Sequence, residues 1–169
     1  MKRFAPLILL ALSANAYSQA PVQYDVSFDN AAHHEARITV TWQDFGDEPL
    51  QMRMSRSSPG RYALHEFGKN VYKVWVVDGE GNQLEFTRPD PYQWDVAGHD
   101  GTVSVTYTLY ADRAGGTYSG IDLTHAHLNM PATFMWARGF EDRAINISFT
   151  PAADDWKVAT QLAPTNDEF

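Results

Sequence analysis

The chain has 169 residues, a formal net charge of -8 and no cysteine. That acidity argues against nucleic acid or an anionic membrane surface as a partner, since both require a basic face. The absence of cysteine excludes a disulfide framework, thiolate metal ligands and a cysteine nucleophile.

Lys2 and Arg3 precede an apolar run over residues 4–12, and Ala14-Asn15-Ala16 then supplies the small-x-small pattern that signal peptidase accepts. A second cleavage pattern, Ser18-Gln19-Ala20, is disfavoured by the proline that follows it. Residues 1–16 are therefore expected to be a secretory signal peptide, and the mature protein to be exported, periplasmic or extracellular. The run is too short for a membrane anchor, which needs roughly 20 apolar residues, so no membrane span is expected once the signal is removed.

Residues 17–160 are expected to form one domain, rich in strands and large aromatics (13 % of the chain). Val22, Tyr24, Val26 and Phe28 alternate with polar residues, which predicts a half-buried strand over residues 22–28. Ala36, Ile38, Val40 and Trp42 repeat the pattern over residues 35–42. Residues 51–54 read as a short strand, and residues 62–70 as the one stretch suited to a helical turn. Residues 71–77 predict the next strand, Asp78-Gly79-Glu80-Gly81-Asn82 a hairpin loop, and residues 84–87 its return. A short aromatic strand follows over residues 92–96. Val103, Val105, Tyr107 and Leu109 then share a face over residues 102–110. Residues 144–149 and 156–159 predict the last strands. Many short strands divided by turns give an all-β fold, an antiparallel β-sandwich. Residues 161–169 read as the start of a linker to a further domain.

His65-Glu66 resembles the opening of a zinc-binding His-Glu-x-x-His motif, but Lys69 stands where the second histidine is required. In an extended segment His125 and His127 point the same way and could meet one ion, with Asp122 or a partner domain as third ligand. The plainer reading, two polar residues lining a loop, is preferred. His33-His34-Glu35 reads as a solvated turn. Residues 114–120 form a glycine-rich loop without the lysine of a phosphate loop. Asn146-Ile147-Ser148 matches a glycosylation sequon but falls within a predicted strand. Residues 130–139 lack clean alternation and fit either a core segment or a face against a second domain.

Ser58-Pro59-Gly60-Arg61-Tyr62, followed by Phe67, Asn70 and Val71, resembles the Pro-Gly-x-Tyr signature of the N-terminal domain of the glycyl aminopeptidase family. Trp94-Asp95-Val96, Val105-Thr106-Tyr107 and residues 127–134 follow in that family's order, so the resemblance spans roughly residues 24–159. It departs from the commoner pattern at Arg56-Ser57, where many members place an aromatic. The family consists of zinc metallopeptidases that often carry a PDZ domain. The resemblance implies a β-sandwich preceding a thermolysin-like catalytic domain, where the zinc and its His-Glu-x-x-His helix reside.

On that basis the chain is expected to hold no cofactor itself, with zinc in the downstream domain. Its expected partners are that domain of the same polypeptide and a peptide substrate. Tyr118, His125, His127 and Arg138, polar groups within glycine-rich or aromatic loops, are the candidates for one wall of the peptide cleft. The alternative is a free-standing exported β-sandwich module that binds peptide or glycan through exposed aromatics.

Overall fold

The computed structural model describes residues 19–113 and 115–164; the expected signal peptide, Ala114 of the glycine-rich loop and residues 165–169 of the expected linker lie outside the described residues. The strands are β1 (Val22–Asn30), β2 (Glu35–Trp42), β3 (Leu50–Arg53), β4 (Val71–Asp78), β5 (Phe86–Thr87), β6 (Gln93–Val96), β7 (Val103–Tyr110), β8 (Gly120–Ile121) and β9 (Ala126–His127). After one helical turn, α1 (Met130–Thr133), come β10 (Trp136–Ala137) and β11 (Ile145–Thr150). One sheet has the order β11-β1-β2-β7-β4, a second β10-β3-β6-β5, and β8 pairs with β9 as a small hairpin. The two larger sheets form the expected β-sandwich.

Alternation along the three longest predicted strands translates directly into the core. Val22, Tyr24, Val26 and Phe28 of β1, the even-numbered residues 36–42 of β2, and Val103, Val105, Tyr107 and Leu109 of β7 are all buried. From the second sheet Leu50, Met52, Trp94 and Val96 meet them. Side chains alternate across a strand, so the opposite face of β2 and β7 carries hydroxyls. Thr39 pairs with Thr106 (2.9 Å) and Thr41 with Ser104 (2.8 Å), which helps fix the register.

Three features depart from simple alternation. In β4 the inward residues Val71 and Val76 are an odd number apart; a bulge absorbs the mismatch, with Lys73 in the left-handed region (φ 51°). Among the described residues the antiparallel pattern has one exception, because β11 lies parallel to β1, with Val22 opposite Ile145 and Ser27 opposite Thr150. Parallel neighbours need a long connection, and the whole chain between the two strands provides it. Finally, the strand expected over residues 156–159 does not form. Pro151 follows β11 directly, where it can donate no ladder hydrogen bond, and Trp156 packs its ring against Phe28 at 5.3 Å instead of entering a sheet.

Candidate functional site

The ladder directions place the chain's loops at two ends of the sandwich. β1 and β7 finish, and β2 and β4 begin, at one end. Loops 31–34, 54–70 and 111–129 gather there, and this is called the loop end below. The opposite end holds Trp42, Phe45 and Phe140, whose rings meet at 5.2–6.5 Å.

Two short-range devices shape the loop end. Ser58, Pro59, Gly60 and Arg61 form a turn closed by the Arg61 N–H donating to the Ser58 carbonyl at 3.1 Å, with Gly60 at φ +75°. Proline at the second position and a glycine of positive φ at the third define a type II turn, so the Pro-Gly pair is a backbone requirement. The His65 N–H closes the loop by donating to the Arg56 carbonyl at 2.8 Å. In the second device, the β8–β9 hairpin turns over residues 122–125. Asp122 Oδ1 accepts from the Thr124 hydroxyl (2.6 Å), the Thr124 N–H (2.6 Å) and the His125 N–H (3.0 Å). Those donors, the Thr124 hydroxyl foremost, hold the Asp122 carboxyl well below the usual carboxylate range.

A buried polar chain joins these loops to the core. Ser119 Oγ lies 2.7 Å from Thr133 Oγ1 and accepts from the Asn129 N–H at 3.1 Å. The Asn129 side chain donates to Ser58 Oγ at 3.3 Å and to the Thr117 carbonyl. The Tyr107 hydroxyl donates to the Thr133 carbonyl (2.8 Å) and accepts from the Met135 N–H (3.1 Å), while the Tyr24 hydroxyl donates to the Met135 carbonyl (2.7 Å). Residues 130–139, which fit either core or interface by sequence, are thereby split. Ala132, Thr133, Met135 and Ala137 are buried, whereas Met130 and Arg138 face solvent.

Three of the four candidate wall residues come together at the loop end. Tyr118 sits edge-on to Phe67 (4.9 Å) and His65 (5.7 Å), and the Arg113 guanidinium lies over its ring at 4.6 Å. His125 and His127 line a neighbouring recess with His34 and Asp112. His125 Nδ1 is 3.3 Å from Asp122 Oδ1, and exposed His127 stands opposite Gly120 in the hairpin. Among the described residues no group of three or more His, Cys, Asp or Glu is placed to hold a metal ion. Arg138 is apart from the other three: its N–H donates to the Gln51 carbonyl (3.1 Å) and the chain runs on into Phe140 at the opposite end.

Some residues at this end escaped the sequence reading. His34 is no simply solvated turn residue, because its Nδ1 donates to the Ile121 carbonyl at 2.5 Å and ties the β8–β9 hairpin to β2. Gly120 is needed for close approach, since a Cβ there would stand 2.8 Å from the Arg113 carbonyl oxygen. His65 stacks on Phe67 at 4.9 Å, and its Nε2 is buried without a hydrogen-bond partner among the described residues. Leaving such a nitrogen unpaired costs roughly 1–3 kcal/mol. Arg61, His65, Arg113 and Tyr118 line one open recess of about 710 Å³. The sequence signal for Arg61 and Arg113 was their position flanking a Pro-Gly turn and a glycine-rich loop.

Comparison with known proteins bears on what this arrangement serves. No curated protein matches the chain. A solved structure of an aminopeptidase N family protein from Idiomarina loihiensis superposes with a TM-score of 0.72 at 17 % identity, which shows a shared fold. The match covers 77 % of this chain and 22 % of that one, so the present chain spans only a minor part of that protein's length. Residues 23–169 match the family described as the Peptidase M61 N-terminal domain, and the chain belongs to that family.

Proposed function

We propose that this chain is the non-catalytic front domain of an exported zinc metallo-aminopeptidase. Its loop end packs on the downstream catalytic domain of the same polypeptide and walls one side of the peptide cleft. The observation that carries this reading is the family membership over residues 23–169. Two geometric features support the choice of face. The parallel pairing of β11 with β1 sends residues 151–164 off towards the loop end, with Trp156 docked on Phe28 near the finish of β1. The loops there also leave large apolar side chains uncovered. Tyr62 stands fully in solvent, and Leu64, Leu123 and Met130 are 72 %, 68 % and 52 % exposed. Exposed apolar groups gathered on one end favour a protein contact.

The family's zinc does not fit the donor set found here, since His125 and Asp122 contribute only a pair and His127 does not complete a triad among the described residues. Peptide-bond chemistry is therefore assigned to the catalytic domain, and this chain's part is binding and orientation. The test is a peptidase assay of the purified chain with added zinc and glycine-leading peptides, together with the reading frame beyond Phe169. No turnover and an in-frame His-Glu-x-x-His are expected. Metal-dependent turnover by this chain alone would overturn the proposal, and a stop codon directly after Phe169 would favour a free-standing binding module.

A further inference from the structure

We infer that the recess between the Pro-Gly loop and the glycine-rich loop is a carboxylate-binding site, and that its ligand is a peptide carboxylate, C-terminal or on an acidic side chain. The inference rests on the reading that the loop end borders a peptide cleft. It adds the chemistry that this border recognises.

The recess is lined by Arg61, Tyr62, His65, Arg113 and Tyr118, and among the described residues no carboxylate lines it. This is unusual ground for a chain of net charge -8. Arg113, Gly115 and Gly116 also border the adjoining recess, which carries Asp112, 4.0 Å from His34 Nδ1, and Asp122. Among the described residues neither Arg61 nor Arg113 enters an ion pair. Two guanidinium groups that make no ion pair among the described residues thus line one recess that a ligand can reach.

Geometry favours a flat anion over a point charge. The Arg113 guanidinium lies over the Tyr118 ring at 4.6 Å, and that ring is wedged against Phe67. A guanidinium resting over a ring can offer its N–H donors in pairs to a carboxylate, which accepts two parallel hydrogen bonds from one guanidinium. Arg61 follows Gly60 at the closed end of the type II turn, so the backbone carrying it is fixed although its side chain is exposed. His65 lines the same recess with its ring stacked on Phe67 and its Nε2 buried. Gly115 and Gly116 on the same wall put no side chain in the way of a peptide backbone. A volume of about 710 Å³ admits one or two residues of a peptide.

The test is calorimetric or NMR titration of the chain with three N-acetylated probes: a tripeptide with uncharged side chains and a free C-terminus, the same tripeptide amidated, and an amidated tripeptide carrying one glutamate. At least one carboxylate-bearing peptide is expected to bind ten times or more tighter than the neutral amide, and to weaken as salt is raised. Tight binding by the free acid assigns the recess to the peptide C-terminus, and tight binding by the glutamate peptide assigns it to an acidic side chain. Arg61→Gln and Arg113→Gln should each lower that affinity about tenfold. Arg61 is exposed on a loop, so Arg61→Gln reports on binding even if Arg113→Gln perturbs the fold. Equal binding of acid and amide, no binding of any probe at millimolar concentration, or unchanged affinity in Arg61→Gln would overturn the inference. The readout is binding without turnover. A chain that binds carboxylates but never supports a peptidase therefore keeps the site and loses the cleft, and the converse result loses the site alone.

Discussion

Individual side chains at the centre of the sandwich have sharply defined duties. The Tyr107 hydroxyl holds both the Thr133 carbonyl and the Met135 N–H, whereas the Tyr24 hydroxyl serves only the Met135 carbonyl. Tyr107→Phe leaves two buried backbone groups short of a partner. It should therefore cost about 2–4 kcal/mol, against about 1–2 kcal/mol for Tyr24→Phe. Urea denaturation of the two variants checks the ordering, and equal losses would remove Tyr107 from its central place. Burial pushes the Tyr24 hydroxyl up to about 12 and raises Tyr107 further. Between the ordinary tyrosine value and these raised ones the unfolded chain releases protons that the native state retains. The stability from these groups is thus complete at neutral pH and falls as pH rises from about 10 towards 12. A midpoint of unfolding that stayed constant across that window would contradict the burial of both hydroxyls. None of this pairing was legible in the sequence. Alternation placed Tyr24 and Tyr107 on inward faces, but a period of two says nothing about what a hydroxyl meets across the core.

At the scale of elements, legibility followed length. β1, β2 and β7 repeat their pattern often enough to declare a face, and they fold as expected. β8, β9 and β10 have two residues each, too few for any period, and are placed by contacts distant in sequence. Trp156 read as a strand because an aromatic amid valine and alanine suits one; ring packing on Phe28 took it elsewhere. The β8–β9 hairpin shows what replaces periodicity, since its turn hangs on one carboxylate accepting three hydrogen bonds. Asp122→Ala should release the Thr124 and His125 amides, raising their hydrogen-exchange rates about tenfold, while Asp122→Asn keeps an acceptor and most of the protection. Asp122 titrates lower in the fold than in the unfolded chain. The turn is therefore fully supported above the ordinary aspartate range and loosens as pH falls through the lowered value. Uniform exchange across wild type and both variants would show that the strand ladder alone sustains the hairpin.

For the molecule as a whole, the question is which end meets a partner. The candidate wall residues were chosen for being polar and near glycines or aromatics, and that criterion could not tell one end of a sandwich from the other. The connectivity separates them, with Tyr118, His125 and His127 on the loop end and Arg138 beyond β10 on the other. The end towards which residues 151–164 run also bears Tyr62, Leu64, Leu123 and Met130. Replacing these four by serine removes apolar surface that the isolated chain leaves in water, so each change should alter its stability by no more than about 0.5 kcal/mol. The same four changes should abolish stable association with a separately produced catalytic domain, because an interdomain contact of ordinary size depends on a few buried apolar anchors. Arg138→Ala, at the far end, should leave association intact. Thermal unfolding establishes that the fourfold variant is folded, and sedimentation of the mixed domains reads the association. Retained association in the fourfold variant, or its loss in Arg138→Ala, would move the interface to the other end and take the proposed cleft wall with it.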